Sequence, residues 1–199
     1  MQRLFMALIA GAIFIAGGTT LANTPKNTLV MAMNADDIIS FDPAQVFELV
    51  GGEMIANIYD RVTMHEAEDL TALVGGVAES WEVSNNGHTI TLKIRPNQKF
   101  HSGNPVTAAD VVFSLTRVVK LEQTPVFLLN QFGWKPDNVD RLVTATGKMA
   151  VKLEIPENLA PTLVLNVLSA GVGSVVDMKT AMAHEKNGDL GHEWLNTHT

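Results

Sequence analysis

A mixed α/β fold is what this sequence predicts, and three local patterns carry the prediction. Thr89 to Ile94 alternates, with Ile90, Leu92 and Ile94 on one face and Thr91 and Lys93 on the other, the period of a half-buried strand. Thr107 and Asp110 form an S/T-x-x-D/E capping box, and Val111, Leu115 and Val118 recur behind it at helical spacing, so a helix starts near Thr107. Arg141 to Thr146 and Met149 to Ile155 flank Gly147-Lys148 as the arms of a hairpin. Its second arm puts Met149, Val151, Leu153 and Ile155 on one face and Ala150, Lys152 and Glu154 on the other. Each apolar side chain buried there contributes roughly 1.5 to 3 kcal/mol, which makes the strand register costly to change.

The remaining elements follow in chain order. Arg3 supplies a positive start, Leu4 to Gly18 is an uncharged and mostly apolar run, and Thr20-Leu21-Ala22 ends it with small residues. That pattern reads as a secretory signal peptide cleaved between Ala22 and Asn23. A membrane anchor is the competing reading, but the run falls short of the about 20 residues a spanning helix needs. Leu29 to Met33 is expected as a short buried strand and Asn34 to Asp42 as a loop. Val50, Met54, Ile58 and Val62 recur every fourth residue, with Ile55 beside them, and predict a helix from about Phe47 to Arg61 with this stripe on a core. Glu66 to Leu73 links it to the central strand, where Trp81 points inward with Val83 as a core anchor. Pro96-Asn97 and Ser102-Gly103-Asn104-Pro105 are turns. Glu122 to Asp140, with its prolines, Gly133 and no steady period, reads as a long surface excursion. Pro161 suits the start of a helix ahead of Leu163 to Leu168, and Asp177 to Glu185 forms another, ended by Asn187-Gly188. There is no internal repeat or low-complexity stretch.

Composition excludes several function classes. A net charge of -7 with no basic cluster argues against nucleic-acid binding. With no cysteine there is neither a disulfide framework nor a lipid-attachment residue, so the expectation is a soluble protein released into a Gram-negative periplasm. The residues after Ala22 suffice for one core and not for two lobes. His184-Glu185 lacks the second histidine of a zincin, since position 188 is Gly188. His101 reads as a hydrogen-bonded structural residue sooner than as a metal ligand, and the six histidines are scattered, so no metal site is expected. Gly171-Val172-Gly173 opens like a dinucleotide fingerprint, but Val176 stands at the third glycine position. No G-x-S-x-G is present. No catalytic residues, no cofactor and no enzymatic activity are expected.

One stretch carries a family resemblance. Gly76 to Glu82 resembles a "G-x-A-E-S-W-E" run, Thr89 to Arg95 a "T-x-x-L-R" strand, and Lys99 to Ser114 a "K-F-H-x-G-x-P-V-T-A-x-D-V-V-F-S" run. Upstream, Ser40-Phe41-Asp42-Pro43 resembles "S-L-D-P", and Asn57-Ile58-Tyr59-Asp60 resembles "N-I-Y-E". Together these are similar to the extracellular solute-binding proteins of the oligopeptide, dipeptide and nickel ABC importers, family 5. Arg61 departs from the glycine usual after the last motif, which bears on the local turn.

The resemblance implies a periplasmic-binding-protein type II-like fold, of which this chain carries the N-terminal portion. Residues 23–70 begin the first lobe, 71–188 form a small strand-and-helix subdomain beside it, and 189–199 start the return, with the second lobe missing. It implies a substrate-binding component of an ABC transporter for short peptides, either the front of a longer protein or a truncated member. Its partners are the permease and ATP-binding subunits, it meets the inner membrane only through the permease, and it is a monomer. Nickel or another small solute is the alternative ligand, and a small secreted interaction or chaperone module the alternative function. By position within the resemblance, Phe47, Glu48 and Leu49 contact the ligand, with Glu48 able to pair with a peptide amine. Glu48 also reads as a helix first-turn acid and Leu49 as ordinary core.

Overall fold

The computed structural model describes residues 24–32 and 34–198. The chain divides into two units, Met1–Met33 and Asn34–Thr199. The apolar run Leu4 to Gly18 and the Ala22 and Asn23 junction lie outside the described residues. In the first unit Leu29, Val30 and Met31 are 84%, 70% and 65% exposed. The buried strand expected at Leu29 to Met33 is therefore not formed at its described positions. A strand needs a ladder partner for its backbone donors and acceptors, and this run finds none among the described residues.

The second unit is built on a four-stranded antiparallel sheet. Its strands are β3 (Ala78–Ser84), β4 (Thr89–Ile94), β5 (Val143–Gly147) and β6 (Ala150–Glu154), in the order β3-β4-β6-β5. β4 and β6 take their central places because both bury an alternating apolar face. Ile90, Leu92, Val151 and Leu153 are fully buried, and Leu92 faces Val151 across the ladder while Ile90 faces Leu153. A second, two-stranded hairpin pairs β1 (Thr63–His65) with β2 (Leu73–Gly75), so residues 66–72 of the expected link become its loop and Leu73 opens β2. β3 lies at the sheet edge, and there the expected alternation fades. Trp81 opposite Leu92 is only half-buried, and Val83 is 46% exposed. Trp81 packs at the margin of the core instead of anchoring it.

Helix α2 (Ala108–Leu121) covers the sheet. Its start is as the sequence predicts, with the Asp110 carboxylate accepting the Thr107 backbone N–H at 2.9 Å and the Thr107 hydroxyl at 2.6 Å. Val111, Leu115 and Val118 are buried on its inner face. α1 (Leu49–Ile58) is shorter than the helix expected from Phe47 to Arg61. Its most buried positions are Gly51 and Ile55, while Val50, Met54 and Ile58 are half-buried. The helix ends at Tyr59 because the next residues go into extended pairing: Val62 donates its N–H to Gly173 O at 2.9 Å, and Arg61 bridges Ser174. Arg61 is not among the residues with a left-handed backbone, so this turn closes without the glycine.

The segment from Glu122 to Asp140 is not a surface excursion. It forms α3 (Val126–Asn130) and α4 (Val139–Leu142), and Leu129, Phe132, Trp134 and Val139 are fully buried. The Trp134 indole N–H donates to Glu154 O at 2.8 Å and ties the segment to β6. No steady period marks it because each helix lasts about one turn, with a left-handed Gly133 between them. The remaining helices are α5 (Pro161–Val167), α6 (Met178–Ala183) and α7 (His192–Leu195). Asp177 caps α6 by accepting the Thr180 N–H, and Asn187-Gly188 turns the chain after it with φ of 55° and 84°.

Candidate ligand-binding groove

The segment leading into α1 hangs on one buried acid. Asp42 is fully buried, and its two carboxylate oxygens accept Arg117 Nη1 at 2.6 Å and Nη2 at 2.5 Å. His192 Nδ1 donates to the same carboxylate at 2.6 Å, and the Ala44 N–H at 2.9 Å. Arg117, itself 2% exposed, spends its Nε on Leu190 O. Burial pushes the Asp42 carboxyl up, but its hydrogen bonds to Arg117 and His192, the Arg117 charge and the Ala44 N–H outweigh that. The net result is a pKa below the ordinary value of 3.8, so Asp42 is a fixed anion. Asp42 O also accepts the N–H groups of Gln45 and Val46. The loop is thereby held in one shape up to Val46, immediately before the positions assigned to ligand contact.

Those positions line one groove, with a volume of about 390 Å³. Phe47 and Leu49 are 53% and 85% exposed, so neither is the ordinary core residue that apolarity alone suggests. Glu48 is half-buried at the start of α1; its Oε2 accepts the Phe47 N–H at 3.0 Å and its Oε1 the Ile39 N–H at 3.4 Å. A carboxylate has about four acceptor sites, so these contacts fix the Glu48 side chain and leave it capacity for a cation.

The opposite wall comes from elsewhere in the chain. Pro125 and Leu128 of the segment around α3 line it, and Phe127 meets Phe47 edge-to-face with ring centroids 5.2 Å apart. Ala170, Gly171 and Val172 close the floor. A Cβ on Gly171 would stand 3.0 Å from Ile55 Cδ1, so glycine lets α1 approach this turn. Arg61 lines the groove too, but its Nη1 donates to Ser169 O at 2.8 Å, which holds it to the wall. The groove thus has an apolar floor, one aromatic, Phe47, the acids Glu48 and Glu53, and the wall-bound Arg61. It is suited to an apolar side chain next to a positive group.

Phe47, Glu48 and Leu49, consecutive in the chain, line the same groove. The Pro125 and Leu128 wall and the Arg117 and His192 supports were not legible: Arg117 lies 75 residues from Asp42 and His192 150, and no spacing rule links them. The available signal was an arginine inside an apolar helical run, since a buried arginine requires an acid. Among the described residues no group of three or more histidine, aspartate or glutamate side chains is placed to hold a metal, and no helix is long and apolar enough to cross a membrane.

Comparison with known proteins gives consistent matches. The chain is 28% identical over 176 residues to the dipeptide-binding protein DppE of Bacillus subtilis, covering 81% of this chain and 31% of that protein. It is 32% identical over 120 residues to the periplasmic murein peptide-binding protein MppA of Escherichia coli, covering 60% of this chain and 20% of that protein. The solved structure of the Escherichia coli murein tripeptide binding protein MppA superposes with a TM-score of 0.62 at 26% identity, over 74% of this chain and 30% of that one. The chain spans less than a third of the length of these relatives. The mixed α/β architecture is that of the periplasmic-binding-protein type II fold, present here in part. Residues 72–197 match the middle part of the bacterial extracellular solute-binding proteins, family 5, and the chain belongs to that family.

Proposed function

We propose that this chain supplies part of the solute-binding component of an ABC importer, and that the groove at Phe47, Glu48 and Leu49 contacts a short peptide. One observation carries this reading: three consecutive residues assigned to ligand contact by resemblance alone line a groove whose other side, Pro125, Leu128 and Ala170 to Val172, comes from distant parts of the chain. The names of the relatives, which refer to dipeptides and murein peptides, support a peptide over a metal ion. In this reading Glu48 pairs with the peptide amine, and Phe47 with Leu128 receives an apolar side chain. Trapping the solute requires closure of two lobes, and delivery requires a permease with its ATP-binding subunits. Residues 23–70 then begin the first lobe, 71–188 form the small subdomain and 189–199 lead back. The protein works as a periplasmic monomer, exported by a leader cleaved between Ala22 and Asn23.

Calorimetric titration of the complete two-lobed binding protein that contains this chain, with trialanine and with N-acetyl-trialanine, tests the reading. A hydrogen bond to a charged group contributes about 1.5–3 kcal/mol, so acetylation and Glu48→Gln should each weaken binding roughly tenfold or more. Equal affinity for the free and acetylated peptides, or no heat from either, would overturn it.

A further inference from the structure

Among the described residues that line the groove, Arg61 is the only cation. It is half-buried, and of its guanidinium donors only Nη1 has a partner among the described residues, the Ser169 carbonyl oxygen at 2.8 Å. No carboxylate of those residues pairs with it. Arg117 shows the usual arrangement of an enclosed guanidinium: Nη1 and Nη2 meet the oxygens of Asp42, and Nε meets Leu190 O. An arginine drawn away from water ordinarily has such an anion. Arg61 does not, although Glu48 and Glu53 line the same groove. The related motif carries glycine at this position, so the resemblance gives Arg61 no role.

The charged head of Arg61 is held where a ligand can meet it. Ser169 directly precedes Ala170, Gly171 and Val172 of the groove floor, so the bond to Ser169 O puts the guanidinium, and not its stem alone, beside that floor. The backbone is fixed as well: Arg61 O accepts the Val77 N–H at 2.8 Å, and Arg61 bridges Ser174. Ordering a long side chain opposes binding, and here much of that ordering precedes the ligand. The remaining Nε and Nη2 edge is a planar fork that matches a carboxylate, and the apolar floor next to it strengthens such a pair by limiting water.

We propose that Arg61 binds a carboxylate of the bound peptide, so that the groove selects a zwitterion with its amine at Glu48 and an acid at Arg61. This rests on the peptide reading of the groove. The acid is the C-terminal carboxylate or an acidic side chain, and three peptides separate these sources by calorimetry on the complete two-lobed binding protein that contains this chain: trialanine, trialanine amide and alanyl-aspartyl-alanine amide. A peptide that presents the recognised carboxylate should bind roughly tenfold or more tightly than trialanine amide. Trialanine alone doing so identifies the C-terminus, and the aspartyl peptide doing so identifies a side chain. In Arg61→Gln, which keeps a donor for Ser169 O, this preference should vanish while the affinity for trialanine amide is unchanged. Arg61→Lys, which keeps the charge without the fork, should retain part of it. Equal affinity for all three peptides in the wild type, or a preference that survives in Arg61→Gln, would overturn the proposal. If trialanine still binds more tightly than N-acetyl-trialanine in that case, the peptide reading stands without it; no heat from any peptide would overturn both.

Discussion

At Asp42 one carboxylate holds three segments that are far apart in sequence. It accepts from Arg117 on α2, from His192 on α7 and from its own loop at Ala44. Removing one partner of a buried ion pair typically costs about 3–5 kcal/mol, because the other charge is left unpaired. Asp42→Asn should therefore lower unfolding stability by that order, measured by urea titration at neutral pH. The pH dependence has a definite sign. The folded-state pKa of Asp42 is depressed, so its contribution is present above the ordinary value of 3.8 and is lost as pH falls through the lower folded value. Wild-type stability should hold from pH 7 to about pH 5 and fall in acid. The fall should be smaller in Asp42→Asn; equal falls in the two proteins would contradict the role given to Asp42.

Among the elements, β4 and β3 are hydrogen-bonded neighbours with different fates. β4 lies between β3 and β6 and buries every second residue; β3 pairs on one side only and leaves Val83 46% exposed. Leu92→Ala should cost about 2–5 kcal/mol, whereas Val83→Ala should change stability by less than about 0.5 kcal/mol. Thermal unfolding of the two variants checks this, and similar losses would mean that β3 is not an edge. The same contrast explains what was legible. The alternation of β4 and β6 and the Thr107-Asp110 box are local, so their residues state them directly. In the segment from Glu122 to Asp140, one-turn helices leave no period to read, and the burial of Phe132 and Trp134 follows from docking on the sheet. Trp194, stacked on His184 at 4.3 Å, is another contact that no local rule foretells.

For the molecule as a whole, the export reading has a direct check: N-terminal sequencing of the protein recovered from a bacterial periplasm should begin at Asn23. A start at Met1 would mean that the leader is retained. The strands β4 and β6, the helices α1, α2, α5 and α6, and the family follow from the sequence, because strand alternation, capping boxes, turn prolines and motif order are carried by residues close together in the chain. The run at Leu29 to Met33 shows the limit of such reasoning, since apolar residues make a strand only where a partner supplies the ladder. Tertiary packing made the groove. Phe127 reaches Phe47, Arg117 and His192 reach Asp42, and Arg61 reaches Ser169 because the sheet and α2 bring distant segments within contact. Contacts of this kind act across tens to more than a hundred residues, beyond any spacing that local chain geometry imposes.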